Sequence, residues 1–435
     1  MRRGAAAAAA APAYRRQGCG AGGTMTSMPP DPSRRRRLTR KQRLRRARLR
    51  GLLALCVLVA VVVLVAVAVA RLTSGSEAAT GTPAAGGSSG SGGRSAQAGG
   101  SSGGSTAEPS AAASAAPVRV VSGGDVMTDR NVKSYISQHG PDAVLTGIAP
   151  QMQAGDTGFV NLEGSLATVG SPNTAKDYTF EGPPAMAKAL KRAGIGVVTV
   201  ANNHAVDYGT AALMAGIRTL EKAGVLVAGG GKDFDAAHAP AILTTASGAT
   251  IGFLGYDDVI WPGFMATSTR PGIAQAVTDM DRVVRDVKGL RKRVDYVVVG
   301  FHWGFEYTHY PIEQQTSEAH AVIDAGADLV IGHHPHVLQG FETYKGALIA
   351  YSLGDLVFDH YSVETGQTVL VDAVITPTGV KATLIPVYVS SNGIPEVQHG
   401  SSARTILSLV KTYSKPLDTY VRIKGDEATV KAGKP

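Results

Sequence analysis

From residue 118 onward, short apolar segments rich in β-branched residues alternate with amphipathic segments of helical spacing. The strand-like segments are VRVV (118–121), GFVN (158–161), GVVTV (196–200), IGFLGY (251–256), VDYVVVGF (294–301), ADLVI (327–331) and ALIAYSL (347–353). The helix-like segments between them cover residues 183–194, 210–224, 276–290 and 313–326, and residues after 366 read as further β structure. Such alternation is typical of layered α/β proteins, so the sequence predicts one large α/β domain over residues 118–400.

Each of the seven predicted strands ends at polar residues that can bind a metal or transfer a proton. These residues are Asp125, Glu163, Asn203 with His204, Asp257 with Asp258, His302, the histidines at 333–336, and Asp355. In open α/β sheets, functional sites form outside the carboxyl ends of the strands. The sequence therefore predicts one site that gathers these side chains.

The segment GHHPH (332–336) contains three of the eleven histidines of the chain. In an extended His-x-His segment alternate side chains share a face, so His334 and His336 are the predicted pair of metal ligands. His333 is predicted to be a bystander. The alternatives are a polar loop with exposed histidines and a turn capped by one of them.

In ANNHAVDYG (201–209), Asn203 offers a carbonyl oxygen to a metal and His204 is a candidate proton donor. Asp207 is a further catalytic candidate with a partly structural role. The alternative is that the two asparagines are turn residues and that Asp207 caps the next helix.

In FHWGFEY (301–307), His302 lies at a strand end and Glu306 is a candidate partner that orients it, as metal-bound histidines usually require. The alternative is aromatic packing over the strand end. Together with Asp125 and Glu163 these residues form a mixed oxygen and nitrogen set, which suits Mn, Fe or Zn rather than Ca. A shared carboxylate can bridge two such ions about 3.5–4 Å apart.

Other chemistries find little support. The two cysteines, Cys19 and Cys56, both precede the predicted domain, which excludes a thiolate site within it. The chain also lacks a Gly-x-Ser-x-Gly elbow and a P-loop.

The formal net charge of +9 is concentrated at the N-terminus. Residues 1–71 hold sixteen Lys and Arg residues and one acidic residue, so the remainder carries 27 basic and 33 acidic residues, a net charge of −6. A basic face for nucleic acid on the predicted domain is therefore not expected.

Residues 51–70 form an uncharged apolar run that matches the thickness of a bilayer, and the sequence predicts a transmembrane signal anchor over 51–71. Eleven of the seventeen residues in 34–50 are basic, which predicts a cytoplasmic low-complexity tail (1–50) and an extracytoplasmic domain on a single-pass anchor. A cleaved signal peptide is the alternative. The arginine run is expected to contact lipid headgroups rather than nucleic acid.

Two further segments are predicted to lie outside the domain. Residues 72–117 are rich in Gly, Ser and Ala and predict a flexible linker. Residues 401–435 are predicted to be a C-terminal tail.

Six motifs in this order resemble those of the bacterial capsule-synthesis CapA family, which includes the PgsA-type poly-γ-glutamate proteins. They are GGDVMTDR (123–130), NLEGSL (161–166), ANNHAVDYG (201–209), FHWGFEY (301–307), GADLVIGHHPHVLQ (326–339) and YSLGDLVFD (351–359). The family in turn is similar to calcineurin-like metallophosphoesterases, which implies a four-layer α/β/β/α sandwich and a site for one or two divalent metal ions.

The resemblance implies a role for each matching position. Asp125 corresponds to the aspartate of the first motif, and Glu163 to the bridging carboxylate. Asn203 and His302 correspond to metal ligands, and His204 to the histidine that protonates the leaving group. His334 and His336 match the last His-x-His.

Two departures from the phosphoesterase pattern affect the metal count. Met127 stands where the first motif has a histidine, so one metal position is short of a ligand. Most CapA relatives have Asn where this chain has Asp355, which is a candidate additional ligand or a turn residue.

The resemblance implies capsule or poly-γ-glutamate synthesis or export, with an anionic cell-surface polymer and other capsule-synthesis membrane proteins as partners. One hypothesis is a metal-dependent hydrolase or transferase that acts on a phosphoester or a γ-glutamyl amide. A second is a non-catalytic accessory subunit that binds polymer. A third is an extracytoplasmic binding domain whose histidines sense pH.

Overall fold

The computed structural model describes residues 115–259, 261–360 and 362–433. The predicted cytoplasmic tail, the predicted membrane segment and most of the predicted linker lie outside the described residues. None of the helices that are described combines the length and the apolar composition needed to cross a bilayer. All described residues belong to one unit, Ser105–Pro435.

The described residues contain twenty strands and eight α-helices, together with 3₁₀ turns at Pro141–Val144 and Lys415–Leu417. The strands are β1 (Val118–Met127), β2 (Thr157–Glu163), β3 (Ser165–Leu166), β4 (Glu181–Gly182), β5 (Ile195–Thr199), β6 (Leu226–Ala228), β7 (Gly230–Gly231), β8 (Ala241–Thr244), β9 (Thr250–Asp257), β10 (Gly272–Ile273), β11 (Tyr296–His302), β12 (Leu329–His333), β13 (Phe341–Tyr344), β14 (Ala347–Ala350), β15 (Asp355–Val357), β16 (Gln367–Thr376), β17 (Gly379–Val389), β18 (Pro395–Val397), β19 (Arg422–Lys424) and β20 (Glu427–Gly433). The helices are α1 (Arg130–His139), α2 (Ala149–Met152), α3 (Met186–Arg192), α4 (Thr210–Lys222), α5 (Phe234–Ala237), α6 (Met280–Arg291), α7 (Glu313–Ala325) and α8 (Gly400–Ser414).

Two large mixed sheets organise the domain. The ten-stranded sheet has the order β19-β20-β17-β16-β1-β2-β5-β6, with β15 paired to β1 and β18 to β17. The six-stranded sheet has the order β13-β14-β12-β11-β9-β8. Its central strands β14, β12, β11 and β9 are parallel, as are β1, β2, β5 and β6 of the larger sheet.

The two sheets pack face to face, and successive strand residues point to opposite sides of each sheet. Phe159 of β2 lies in a buried cluster with Phe253 and Val298 from the smaller sheet, whereas the next residue, Val160, lies in a separate cluster on the outer face. Similarly, Val299 of β11 points away from the interface.

Helices cover both outer faces. Helices α1, α3 and α4 contribute to the outer cluster of the larger sheet, and α6 and α7 to that of the smaller sheet. The layers are therefore helix, sheet, sheet and helix. This order agrees with the α/β/β/α arrangement expected from the resemblance.

Glycines end three of the predicted helices. Gly194, Gly224 and Gly326 follow α3, α4 and α7, each directly after an alanine, with φ values of 92°, 78° and 119°. Only glycine adopts such left-handed conformations at little steric cost, so these positions terminate the helices.

The C-terminal region differs from the predicted tail at 401–435. Helix α8 packs into the interface between the sheets, and β20 pairs with β17 at the edge of the larger sheet. The signal for α8 is present in the sequence, because its apolar residues recur at helical spacing. These residues are Ala403, Ile406, Leu407 and Val410.

Candidate metal centre

The predicted strand-end residues come together at one edge of the sandwich. In the larger sheet, Asp125 is in register with Asn161, and Met127 with Glu163. In the smaller sheet, His302 is in register with His333. Parallel pairing brings the carboxyl ends of neighbouring strands to the same level, so side chains from both sheets meet there.

Close backbone packing fixes the position of Asp125. Its N–H donates to the carbonyl oxygen of Gly354 over 2.9 Å. A Cβ added to Gly124 would lie 1.9 Å from the same oxygen, so this approach requires glycine. Asp125 and Asp355 are consequently neighbours in register across β1 and β15.

Asp125 is fully buried and surrounded by polar groups. Its Oδ1 accepts from Asn161 Nδ2 at 2.8 Å, and its Oδ2 accepts from the His334 N–H at 3.1 Å. His333 Nδ1 lies 3.2 Å from Asp125 Oδ1. Burial raises the pKa of Asp125, but His333, His336 and Asn161 outweigh burial and lower it. His333, predicted to be a bystander, thus contacts a candidate ligand directly.

Glu163 is buried, and neither of its carboxylate oxygens has a hydrogen-bond partner among the described residues. Burial raises the pKa of Glu163 well above its ordinary value, and the charge of Asp125 adds to this effect. Its Oε1 lies 4.0 Å from His302 Nε2. Buried polar atoms are almost always partnered, so an orphaned carboxylate points to a missing ligand.

His302 is held between two asparagines. Its Nε2 lies 3.1 Å from Asn203 Oδ1, and its Nδ1 lies 3.3 Å from Asn161 Nδ2. These contacts assign a neutral ring whose Nε2–H donates to Asn203 and whose Nδ1 accepts from Asn161. Burial lowers the pKa of His302 well below its ordinary value, and the nearby histidines lower it further.

Glu306 is placed differently from the prediction that it orients His302. It is exposed, and its carboxylate forms a group with ring nitrogens of His334 and His336, all within 4.8 Å of one another. Tyr307, the next residue, has φ 59° and donates its N–H to the carbonyl oxygen of Pro335 over 2.8 Å. This bond holds the loop of Glu306 against the His-Pro-His segment, while both ring nitrogens of His302 contact asparagines.

The His-Pro-His segment has an unusual backbone. His334 and His336 have φ values of 93° and 55°, a region that L residues rarely adopt. Residues held in this region cluster at functional sites. The turn directs the rings of His334 and His302 to within 4.7 Å of each other, between centroids.

His336 pairs with Asp355. Its Nδ1 lies 2.8 Å from Asp355 Oδ1. Burial lowers the pKa of His336, but the carboxylates of Asp355, Glu163 and Asp125 outweigh burial and raise it to about 10. Burial raises the pKa of Asp355 to about 6, and His336 opposes this rise. The neighbouring His334 has its pKa lowered to about 3, chiefly by burial and then by His336.

The residues fit a divalent cation. Ligand atoms of Asp125, Glu163 and His336 lie within 4.8 Å of one another, and this group shares His336 with the group of Glu306 and His334. Three buried carboxylates converge on His336, and a proton on its ring offsets part of their charge. A cation bound by this set would replace that proton and would supply the partner that Glu163 lacks.

A buried His–Asp–Lys group borders the centre. His204 Nδ1 lies 2.6 Å from Asp207 Oδ2, and Lys176 Nζ lies 2.5 Å from Asp207 Oδ1. Asp207 Oδ2 also accepts from the Phe180 N–H at 2.9 Å, so Asp207 is partly structural without capping α4, whose N-cap is Gly209. Burial lowers the pKa of His204, although Asp207 opposes this effect.

Sequence reasoning missed two kinds of site residue. Asn161 could have been found, because it lies two positions before Glu163 on β2 and therefore on the same face. Lys176 carries no such signal, since it lies in a loop remote from any predicted strand end. Its ammonium lies 5.2 Å from the ring centroids of both Trp261 and Phe264, so tertiary packing alone places it.

The fold and the site define a layered α/β protein with a candidate metal centre at the carboxyl ends of strands from two packed sheets. Residues 119–360 match the family described as bacterial capsule synthesis protein PGA_cap. The chain belongs to this family.

Three curated relatives agree with this family assignment. The capsule biosynthesis protein CapA of Bacillus anthracis is 34% identical over 253 residues, covering 57% of this chain and 61% of the relative. The PGA biosynthesis protein CapA of Bacillus subtilis (strain 168) is 34% identical over 249 residues, covering 57% and 65%. A probable polyglutamine synthesis accessory protein of Mycobacterium tuberculosis is 29% identical over 218 residues, covering 48% and 57%. The chain therefore spans less than two thirds of the length of these relatives.

Two solved structures are distantly similar. A hypothetical protein from Thermus thermophilus is 17% identical, with a TM-score of 0.35, covering 64% of this chain and 98% of that chain. The sulfate thiohydrolase SoxB of the same organism is 14% identical, with a TM-score of 0.34, covering 64% and 47%. Likenesses at this level are too weak to assign a fold or a function.

Proposed function

We propose that this chain is a membrane-anchored, extracytoplasmic protein of capsule or poly-γ-glutamate synthesis or export with a metal-dependent hydrolase site. Its substrate would be an anionic cell-surface polymer, cleaved at a phosphoester or a γ-glutamyl amide. The four layers and the strand-end position of the site support the expected kinship with calcineurin-like metallophosphoesterases. The family membership supports the process, and other capsule-synthesis membrane proteins are the expected partners.

The orphaned carboxylate of Glu163 is the observation that carries the metal proposal. Both of its oxygens are buried without a hydrogen-bond partner in the described part of the chain. Leaving a charged group buried and unpaired is costly, whereas coordination to a cation satisfies it. The candidate ligands are Asp125, Glu163, Asn203, His302, His334 and His336, with Asp355 as a further donor. This oxygen and nitrogen set suits one or two ions of Mn, Fe or Zn.

A divalent ion at this centre would act as a Lewis acid and stabilise negative charge that develops on the substrate. The residues around it have separable tasks. Asn161 fixes the carboxylate of Asp125 and the ring of His302 through one amide nitrogen. Asn202 Nδ2 in turn donates to Asn161 Oδ1 over 3.0 Å and so fixes the orientation of that amide.

His204 is the proposed proton donor. Because its Nδ1 is engaged with Asp207, Nε2 remains for proton transfer to a leaving group. Burial lowers its pKa, so the resting ring is neutral near pH 7 and must first take up a proton. Asp207 stabilises the resulting imidazolium, and Lys176 holds Asp207 in place.

The proposal is tested on the purified full-length chain by measuring bound metals and by assaying cleavage of phosphodiesters, phosphomonoesters and poly-γ-glutamate. We expect bound divalent metal in the wild type, and loss of metal and turnover in a His334→Ala/His336→Ala variant. Glu163→Gln should also weaken metal binding by at least about tenfold, since it removes a charged ligand. Exposed Glu221→Gln serves as the matched control. A wild type without metal, or a double variant with full activity, would contradict the proposal.

A non-catalytic, polymer-binding accessory subunit is the second candidate function. Two observations favour it: the name of the mycobacterial relative contains the words "synthesis accessory protein", and exposed aromatic side chains lie on the loop beside the site. Phe305 is 63% exposed and Tyr307 is 62% exposed. Bound metal together with binding but no cleavage of poly-γ-glutamate would support this role over the hydrolase.

A further inference from the structure

Arg130 lies beside the candidate metal centre, at the start of α1. It is the first residue of α1 and has φ 51°, a left-handed conformation at a non-glycine position. Its guanidinium pairs with Asp359, whose side chain is almost fully buried. Nothing in the proposed function uses this arginine.

Two aromatic rings connect Arg130 to the centre. Its Cζ lies 5.4 Å from the ring centroid of Phe180 and 5.3 Å from that of Phe358. Phe180 stacks on His204 at 4.1 Å between centroids, and Phe358 lies 4.9 Å from His336. The guanidinium is therefore separated from the proposed proton donor and from a candidate ligand by one ring each.

One edge of the guanidinium is free. Nε donates to Asp359 Oδ1 over 2.7 Å, and Nη2 donates to the same carboxylate oxygen and to the Asp359 carbonyl oxygen at 3.0 Å. Nη1 has no hydrogen-bond partner among the residues that the structure describes. The side chain is 32% exposed, so it is partly accessible to a ligand.

The other basic group of the centre is already committed. The side chain of Lys176 is 6% exposed, and its ammonium contacts Asp207 and the carbonyl oxygen of Asn203. It cannot reach a ligand in solvent without breaking these contacts. The pair with Asp359 leaves Nη1 of Arg130 available to donate. A lysine paired with Asp359 would present no second edge of planar donors.

We propose that Arg130 binds, through Nη1, an oxyanion of the ligand that occupies the metal centre, namely a carboxylate or a phosphoryl oxygen. The proposal rests on the proposed function for the presence of a ligand at this edge of the sheets. It adds the chemical class that the site recognises and the residue that recognises it. Arginine suits this task because its planar fork matches carboxylate and phosphate geometry.

The test uses the full-length chain and two probes, inorganic phosphate and a γ-linked glutamate oligomer, titrated calorimetrically with and without added Mn²⁺. Arg130→Gln should bind the probe that the wild type binds about 10- to 100-fold more weakly. This is the range expected for losing a charge-assisted hydrogen bond. Arg130→Lys should recover part of this loss. Lys133→Gln, an exposed lysine one turn along α1, is the matched control and should bind as the wild type does.

Arg130→Gln leaves Asp359 buried without its cation, so an Arg130→Gln/Asp359→Asn variant separates binding from folding. If the folded double variant also loses probe affinity, Arg130 is a binding residue. Loss for phosphate alone identifies a phosphoryl ligand, and loss for the oligomer alone identifies a carboxylate ligand. The inference is overturned if the wild type binds neither probe. It is also overturned if Arg130→Gln and Arg130→Gln/Asp359→Asn each bind both probes as the wild type does.

Bound metal is measured in every variant to distinguish this inference from the proposed function. A wild type that lacks metal but binds a probe in an Arg130-dependent way contradicts the metal proposal and supports the role of Arg130. A metal-loaded wild type whose probe affinity does not change in Arg130→Gln supports the metal proposal and contradicts the role of Arg130.

Discussion

Lys176 Nζ lies 2.5 Å from Asp207 Oδ1, and the two side chains are 6% and 0% exposed. The pair is therefore almost entirely shielded from water. Removing one partner of such a pair leaves an uncompensated charge in the interior.

We expect Lys176→Met to lower the free energy of unfolding by about 3–5 kcal/mol, because Asp207 then stays buried without its cation. A Lys176→Met/Asp207→Asn variant should recover part of that loss. Arg192→Gln is the control, since its pair with Asp142 is 53% and 62% exposed and should contribute about 1 kcal/mol or less. Urea denaturation measures all three. Equal losses for Lys176→Met and Arg192→Gln would contradict a special role for the buried pair.

The burial of Glu318 predicts that the free energy of unfolding depends on pH. Burial raises its pKa from 4.5 to about 7, and the charge of Asp258 adds to the rise. The folded state therefore holds a proton that the unfolded state has already lost, so stability falls as pH rises from about 4.5 to about 7. We expect a loss of about 1–3 kcal/mol over this range, and a smaller loss in Glu318→Gln. Exposed Glu313→Gln, in the same helix, should retain the wild-type slope. Identical slopes in all three proteins would argue against the burial effect.

The left-handed backbone at His334 predicts that glycine is more stabilising than alanine at this position, the reverse of their order within a helix. His334→Gly and His334→Ala both delete the imidazole, but only glycine adopts φ 93° without strain. The glycine variant should therefore be more stable than the alanine variant by about 1 kcal/mol. At Ser137, exposed within α1, the order should reverse, because glycine is the poorer helix former. Thermal unfolding of the four variants measures both differences, and a more stable alanine variant at 334 would refute the strain.

Deletion of residues 51–71 is expected to release the chain from the membrane fraction, because this segment supplies the twenty uncharged residues needed to span a bilayer. Deleting residues 86–106 from the predicted linker removes a similar length and should leave the chain in the membrane fraction. Cell fractionation followed by immunoblotting measures the outcome. A wild-type chain found in the soluble fraction would show that the segment does not anchor it.

The sequence predicted the main strands and four of the helices, but not α1 and α8. Apolar periodicity revealed the main strands and four helices, because burial on one face dictates that spacing. Helix α8 shows the same periodicity, although its residues lie in the segment predicted to be a C-terminal tail. Helix α1 is mostly polar, so only Val132 and Ile136 mark its buried face.

For the site, position at a strand end was an informative signal, because parallel strands must deliver their ends to one edge. This reasoning brought Asp125, Glu163 and His302 together correctly. It did not extend to Glu306 and Lys176, whose positions depend on loop conformation. The turn at Tyr307 and its bond to Pro335 carry Glu306 to the His-Pro-His segment, and no local pattern in the sequence encodes that bond.

The donors of the centre come from both sheets, and His334 donates to Asp125 across 209 residues of chain. A nascent chain that has emerged only as far as β9 therefore carries Asp125 and Glu163 without His302, His334 and His336. Such a chain cannot hold an ion as the finished sandwich does, so metal capture would report that the two sheets have docked. An ion present at a hundredfold excess over its Kd would add about 2.7 kcal/mol to the docked state. Metal supply would then govern how long the sandwich stays closed.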